Sequence, residues 1–159
     1  MAWEEPCDEP GRRLFEDGRF YTPDGKARML FDPPRPPGEL PDDAFDLVLT
    51  TGRGSSSQWH TGTRTEKSAI LQAMSPRELF LEMHPEDATS RGLEPGALVE
   101  VASRRGCLTA RLVSSPGIRR GVVFLPMHDR RVNVLTFPSF DPHSREPSYK
   151  HAAVRVGRG

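Results

Sequence analysis

The 159-residue sequence predicts a mainly β domain, a small barrel of about six short strands with at most two short helices. Two observations predict this class. From residue 45 onward, short apolar runs recur between Gly, Pro and Ser turn signals, and several of them alternate with polar residues. The length suits a single domain, and closing the sheet on itself removes the exposed edges that such a set of strands would otherwise present.

The first 44 residues differ in composition from the rest of the chain. They end in the stretch "DPPRPPGELPDD" (residues 32–43), whose prolines lack N–H donors and restrict φ. We therefore interpret residues 1–44 as a proline-rich N-terminal segment and linker. The barrel domain is expected to occupy residues 45–159.

The first predicted strand lies in "FDLVLT" (residues 45–50), and the second in "ELFLEM" (residues 78–83). One or two helical turns follow in "HPEDATSRG". Pro85 suits the first helical position, Glu86 and Asp87 suit the positive end of the helix dipole, and Gly92 can end the helix. His84 is interpreted as a residue that begins this helix rather than as a catalytic group.

The clearest hairpin in the sequence is "ALVEVASRRGCLTARLVS" (residues 97–114). Val99 and Val101 share one face of the outgoing strand, and the returning strand alternates apolar with polar residues. Arg104 and Arg105 lie at the turn, where we expect solvated side chains, with a cofactor contact as the alternative. The remaining strands are "VVFLP" (residues 122–126) and "AAVRV" (residues 152–156).

Charge and cysteine content exclude several functional classes. The chain has 22 basic and 22 acidic residues, so no global field favours nucleic acid or an anionic membrane as a partner. Cys7 and Cys107 are far apart and belong to no metal-binding motif, which argues against a disulfide framework, structural zinc or an iron–sulfur cluster held by this chain alone. No membrane helix or secretory signal is recognised, and we expect a cytoplasmic protein.

The loop "TTGRGSSSQWHTGTRT" (residues 50–65) is the strongest candidate for a binding site. Gly52 and Gly54 allow close backbone approach to a ligand, and Arg53 adds positive charge. The loop also contains Ser and Thr hydroxyls, which can donate hydrogen bonds, Trp59, which can stack on a ring, and His60, which can donate a hydrogen bond. Together these groups suit a phosphorylated heterocycle as the ligand. The spacing matches neither a P-loop nor GxGxxG. A soluble loop without a ligand would have the same composition, so the residues alone leave both interpretations open.

Several stretches occur in one order and register: "LTTGRGSSSQWHTGTRT", "EMHPEDA", "GALVEVASRRG", "GVVFLPMH", "NVLT" and "FDPHSREPSYKHAAVRV". Together they resemble the C-terminal molybdopterin-dinucleotide-binding domain of the large molybdenum oxidoreductases. The likeness is closest to bacterial assimilatory nitrate reductases, with formate dehydrogenases and periplasmic nitrate reductases a step further off. The upstream "RLFEDGRFYTPDGKARMLFDP" is similar to the segment that leads into this domain in the same enzymes.

The resemblance implies a six-stranded double-psi β-barrel that binds part of a molybdopterin guanine dinucleotide. In such enzymes two of these pterins hold molybdenum, the Mo-bis-MGD cofactor, and a [4Fe-4S] cluster belongs to other domains. The residues that match the family's cofactor-binding positions are Thr51, Gly52, Arg53, Gln58, Trp59, His60, Thr61, Asn133 and Lys150. An Asn amide pairs with a heterocycle edge, and a Lys supplies a compact cation for a phosphate or an electron-rich ring.

The resemblance also implies that the remaining domains of a catalytic subunit are this chain's partners. No catalytic residue and no metal ligand are predicted in the chain itself, which is expected to be inactive alone. Two alternatives remain at this point. One is a non-catalytic protein-interaction module on the same barrel. The other is a small self-processing decarboxylase-like enzyme, for which "RGSS" (residues 53–56) offers the Gly-Ser step.

Overall fold

The computed structural model describes residues 13–31, 33–55, 62–63, 65–142 and 144–159. The chain divides into two compact units, Met1–Arg35 and Pro36–Gly159. Over its described residues the first unit has turns but no helix or strand. The rings of Phe15 and Phe20 stack there with centroids 4.6 Å apart, and Tyr21 lies edge-on to Phe15.

The second unit is a closed barrel in which the strands follow the order β1-β5-β2-β4-β3-β6. The strands are β1 (Leu47–Gly52), β2 (Phe80–Met83), β3 (Leu98–Ser103), β4 (Gly106–Ser114), β5 (Val122–Pro126) and β6 (Ala152–Arg158). The helices are α1 (Ala69–Met74), α2 (Pro85–Ser90) and two 3-10 helices, Thr65–Lys67 and Arg130–Leu135. β1 pairs in parallel with β5, and β2 with β4. The predicted six-stranded double-psi β-barrel is therefore confirmed.

The core follows from the alternation of side chains along the strands. In β1, Leu47, Leu49 and Thr51 are buried while the residues between them are partly exposed. Val99 and Val101 of β3 are fully buried, as their shared face predicted. The largest fully buried side chains are Leu47, Leu49, Leu81, Met83, Leu112, Leu125, Leu135, Val99, Val101, Val123, Val132 and Val154.

The two α-helices differ in how far the sequence predicted them. α2 begins after His84, whose Nδ1 accepts a hydrogen bond from the Glu86 N–H at 3.2 Å, and the chain turns at Gly92 with φ 63°. His84 is thus the helix-entry residue that the sequence predicted. α1 was not predicted; it begins after Ser68 and has no buried side chain, so no apolar periodicity reveals it.

The strand pairings assign every chain connection to one of two ends of the barrel. At one end, Gly52 of β1 pairs with Pro126 of β5, and the β3–β4 turn joins Ser103 to Gly106. β2 and β6 also begin at this end, because each is antiparallel to a strand that finishes there. We call it the mouth. We call the other end, where β1 and β5 begin and α2 lies, the far end.

Candidate functional site

The root of the predicted binding loop is tied to two other segments at the mouth. Thr51 is buried, and its hydroxyl donates to the carbonyl oxygen of Tyr149 at 2.9 Å. The next carbonyl, that of Gly52, accepts the N–H of Met127 at 2.8 Å. Contacts from one end of β1 therefore hold both the segment before β6 and the segment after β5.

Gly54 is required at the start of the loop because of space. A Cβ at this position would lie 2.6 Å from the Cβ of Pro126 and 3.1 Å from the ring of Phe80. The first distance is shorter than real Cβ contacts, so a larger residue would push the loop outward. A cavity of about 170 Å³ opens beside this close approach, and the residues that line it include Ser55, Arg77, Glu78, His128 and Asp129.

Asn133 is carried by the 3-10 helix Arg130–Leu135, which follows β5 at the mouth. Oδ1 of Asp129 caps the helix by accepting the N–H of Arg131 at 2.9 Å. Hydrogen bonding from the Arg131 side chain holds the pKa of Asp129 below its ordinary value, although partial burial opposes this. Leu135 anchors the helix in the core, whereas Asn133 is exposed.

Lys150 lies next to Tyr149, the residue whose carbonyl binds Thr51. Its side chain is exposed, and its Nζ lies 6.0 Å from the centre of the Tyr149 ring. The following residue, His151, has a buried Nδ1 with no hydrogen-bond partner among the described residues. A buried ring nitrogen of this kind normally has a partner.

The structure places five of the predicted cofactor-binding residues at the mouth: Thr51, Gly52, Arg53, Asn133 and Lys150. Three separate elements supply them, namely the end of β1, the 3-10 helix after β5 and the segment before β6. Gln58, Trp59, His60 and Thr61 lie outside the described residues. Of the five described residues, Thr51 has its hydroxyl in a bond to the protein's own backbone, while Arg53, Asn133 and Lys150 are exposed.

The expectation of solvated side chains at the β3–β4 turn holds only in part, because Arg104 is exposed and Arg105 is partly buried, and both bind carboxylates. Arg104 donates to Oε1 of Glu39 at 2.9 Å and also binds Asp42, and Arg105 donates to the two oxygens of Glu39 at 2.6 and 3.0 Å. Their guanidinium groups also lie over the rings of Phe45 and Phe137. Both arginines therefore bind the chain that precedes the barrel.

Glu39 is the main residue at the mouth that sequence reasoning missed. It is 8% exposed and also accepts the N–H of Ala153 at 2.8 Å. Burial alone raises the pKa of its carboxyl, but the hydrogen bonds from Arg105, Ala153 and Arg104 outweigh burial, and the pKa lies below its ordinary value. No motif surrounds Glu39 in the sequence, so only the fold reveals these contacts.

Residues 47–153 match the family described as the molydopterin dinucleotide binding domain. The chain belongs to this family. It is 36% identical over 152 residues to the F420-dependent formate dehydrogenase 1 subunit alpha of Methanococcus maripaludis, an alignment that covers 94% of this chain and 22% of that protein. The chain thus spans about a fifth of that relative's length.

Among solved structures, acetylene hydratase from Pelobacter acetylenicus has the same fold over this region. The TM-score is 0.60 at 17% sequence identity, and the match covers 72% of this chain and 18% of that one. Within the described ranges, no helix is long and apolar enough to span a membrane, and no cluster of three or more His, Cys, Asp or Glu residues is arranged around a metal site.

Proposed function

We propose that the mouth binds part of a molybdopterin guanine dinucleotide, and that the chain does so within a molybdenum-dependent oxidoreductase. Membership of the dinucleotide-binding family supports the class of ligand. The observation that carries the proposal to particular residues is the Thr51–Tyr149 hydrogen bond. It joins the root of the Gly-rich loop to the segment that bears Lys150, at the end of the barrel where Asn133 also lies.

The residues at the mouth fit such a ligand. Arg53 and Lys150 offer two exposed cations for a pyrophosphate, and the amide of Asn133 offers a donor and an acceptor for a heterocycle edge. The buried Nδ1 of His151, with no partner in the described part of the chain, fits a site completed by a further polar group. When bound, the group supplies two-electron chemistry at molybdenum, and this chain binds and orients it.

The residues outside the described ranges belong to the same proposal. Gln58, Trp59, His60 and Thr61 follow the Gly-rich loop in sequence and extend its set of polar and stacking groups. We further propose that the other domains of a larger catalytic subunit, with their [4Fe-4S] cluster, complete the cofactor site. The chain spans 22% of the formate dehydrogenase subunit, which supports this division of labour. On this proposal the isolated chain is inactive and the assembly is cytoplasmic.

Two substrates remain for the whole enzyme. The sequence motifs favoured nitrate over formate. The 36% identity to a formate dehydrogenase subunit over 94% of the chain favours formate. We propose formate oxidation, because an identity that extends over nearly the whole chain is stronger support than the likeness of short motifs.

Binding of the dinucleotide is tested on the full chain by titration with molybdopterin guanine dinucleotide extracted anaerobically from a molybdenum enzyme. We expect Arg53→Ala and Lys150→Ala each to weaken binding about tenfold, since hydrogen bonds to charged groups contribute about 1.5 kcal/mol or more. Arg119→Ala is the matched control, because Arg119 is an exposed arginine at the far end. Equal binding by all three variants, or none by the unaltered chain, would contradict the proposal.

The substrate is tested on the assembly rather than on the isolated chain. A tagged chain is recovered from its native cells with the proteins that accompany it. Formate oxidation with an artificial electron acceptor is then compared with nitrate reduction by an artificial donor. Activity with formate alone supports the proposal, and activity with nitrate alone restores the substrate that the motifs favoured.

A further inference from the structure

The mouth is held from outside the barrel by one buried carboxylate. Glu39 lies eight residues before β1, and its oxygens accept hydrogen bonds from Arg104, Arg105 and the N–H of Ala153. Ala153 is the second residue of β6 and comes three residues after Lys150. Glu39 therefore fixes the backbone of β6 close to the point where the Lys150 segment enters the barrel.

Arg105 extends the same contact to the 3-10 helix. While it is paired with Glu39, its Nη2 donates to the carbonyl oxygen of Leu135 at 2.7 Å, and its guanidinium lies 5.6 Å from the centre of the Phe137 ring. Leu135 is the last residue of the helix and comes two residues after Asn133. The carbonyl at the C-terminal end of this short helix thus has a charged donor, which fixes the helix end.

Two glycines show how closely this segment is enclosed. A Cβ at Gly38 would lie 2.7 Å from the ring of Phe137, and a Cβ at Gly106 would lie 2.7 Å from Cγ2 of Val134. The first glycine adjoins Glu39 and the second adjoins Arg105. Residues 134–137 are therefore confined between the segment that precedes the barrel and the start of β4.

We propose that Glu39 and Arg105 are positioning residues for the dinucleotide. One carboxylate–guanidinium pair sets the location of the Asn133 helix and of the Lys150 segment, which approach the ligand from different parts of the chain. The inference rests on the proposed function, since it assigns these two side chains a role in the affinity of that same site. Displacements of about 1 Å in a positioned group are costly, so a loosened pair lowers affinity without removing a ligand contact.

The far end supplies a matched control. Asp87 is 7% exposed, and its Oδ2 accepts the N–H of Gly121 at 2.7 Å. Glu39 and Asp87 are both buried carboxylates that accept a backbone N–H. The N–H that Glu39 accepts lies within β6, and the one that Asp87 accepts lies just before β5. Unlike Glu39, Asp87 lies at the end of the barrel that bears none of the candidate ligand contacts that the structure describes. A purely structural role predicts that any loss of affinity in Glu39→Gln and Asp87→Asn follows the loss of stability in each variant.

Two measurements on the full chain separate positioning from stability. Hydrogen exchange without ligand follows the amides of residues 130–137 and 149–153, and titration with the extracted dinucleotide gives the affinity. We expect Glu39→Gln to speed exchange in these two segments and to weaken binding about tenfold, with Asp87→Asn changing neither. Arg105→Lys keeps the charge and is expected to restore part of the affinity that Arg105→Ala loses.

The outcomes distinguish this inference from the proposed function. If the unaltered chain binds no dinucleotide, the proposed function fails, and the positioning role fails with it even if Glu39→Gln still speeds exchange at the mouth. If the unaltered chain binds while Glu39→Gln binds equally well, only the positioning role is overturned. Equal loss of affinity in Glu39→Gln and Asp87→Asn also overturns it, because a substitution at the far end cannot act by positioning the mouth.

Discussion

The two ends of the barrel each bury a carboxylate, but they use it differently. At the far end, the Asp87 carboxylate binds the N–H of Gly121 within a turn, and Nε of the 65% exposed Arg120 side chain lies 3.6 Å from its Oδ1. At the mouth, Glu39 binds two arginines and a strand N–H. The far end is thus secured by elements adjacent to its own strands. The mouth depends on a segment from outside the barrel.

The proposed function accounts for this difference. Backbone hydrogen bonds close the far end, where the N–H of Val48 donates to the carbonyl of Gly121 at 2.9 Å. Arg53 and Lys150, the cations proposed to meet the ligand, are exposed and provide little packing. Side chains behind them must supply the order instead. The mouth therefore gains its rigidity from charged contacts, which respond to mutation and to pH.

The largest expected difference between the two ends is in stability. Glu39→Ala leaves Arg105 without its carboxylate partner and is expected to lower the free energy of unfolding by about 3 kcal/mol. Asp87→Ala leaves one N–H without its acceptor and is expected to lower it by about 1.5 kcal/mol. Urea unfolding of both variants measures the difference. A loss from Asp87→Ala as large as that from Glu39→Ala would remove the distinction.

A smaller effect is expected from packing at the mouth. Gly106→Ala places a methyl group 2.7 Å from Cγ2 of Val134 and is expected to lower the free energy of unfolding by about 2 kcal/mol, since the 3-10 helix must shift. The matched control is Gly157→Ala in β6. A Cβ there meets nothing within 4 Å, so a change within about 0.5 kcal/mol is expected. Similar urea midpoints for the two variants would show that the helix adapts freely.

The sequence predicted the barrel wall far better than the arrangement of its mouth. The strands were predictable because alternation within one segment, such as Val99 and Val101, records which face is buried. The order and spacing of the stretches that resemble the molybdopterin-dinucleotide-binding domain also indicated the loop and Lys150 as cofactor-binding candidates. No local pattern indicates the contacts of Glu39, because its partner Arg105 is 66 residues away in the sequence. The carboxylate contacts of Arg104 and Arg105 were missed for the same reason, because a charged turn is fully solvated unless another segment packs against it.

The bond at the root of the loop is expected to contribute less than the contacts of Glu39. Thr51→Val removes the hydroxyl that donates to the Tyr149 carbonyl and is expected to lower the free energy of unfolding by about 1 kcal/mol. Thr51→Ser keeps the donor and serves as the control. Hydrogen exchange at residues 149–151 checks the local effect. Unchanged exchange in Thr51→Val would show that β1 does not hold the Lys150 segment.

The smallest expected effect is a change in how stability depends on pH. The pKa of Glu39 lies below its ordinary value of 4.5, so between the two values the unfolded chain binds more protons than the folded one. The stability that Glu39 contributes is therefore fully present above about pH 4.5 and is lost as the pH falls through the folded value.

We accordingly expect the unaltered chain to lose urea resistance as the pH falls below about 4.5, with the protection factors for hydrogen exchange at residues 130–137 decreasing over the same range. Glu39→Gln cannot titrate at this position and is expected to show a shallower decline. The pKa of Asp129 is also depressed, by hydrogen bonding from Arg131, so some acid sensitivity persists in the variant. Parallel declines in the two proteins would mean that the Glu39 carboxylate does not hold the mouth, whatever its contacts in the folded chain.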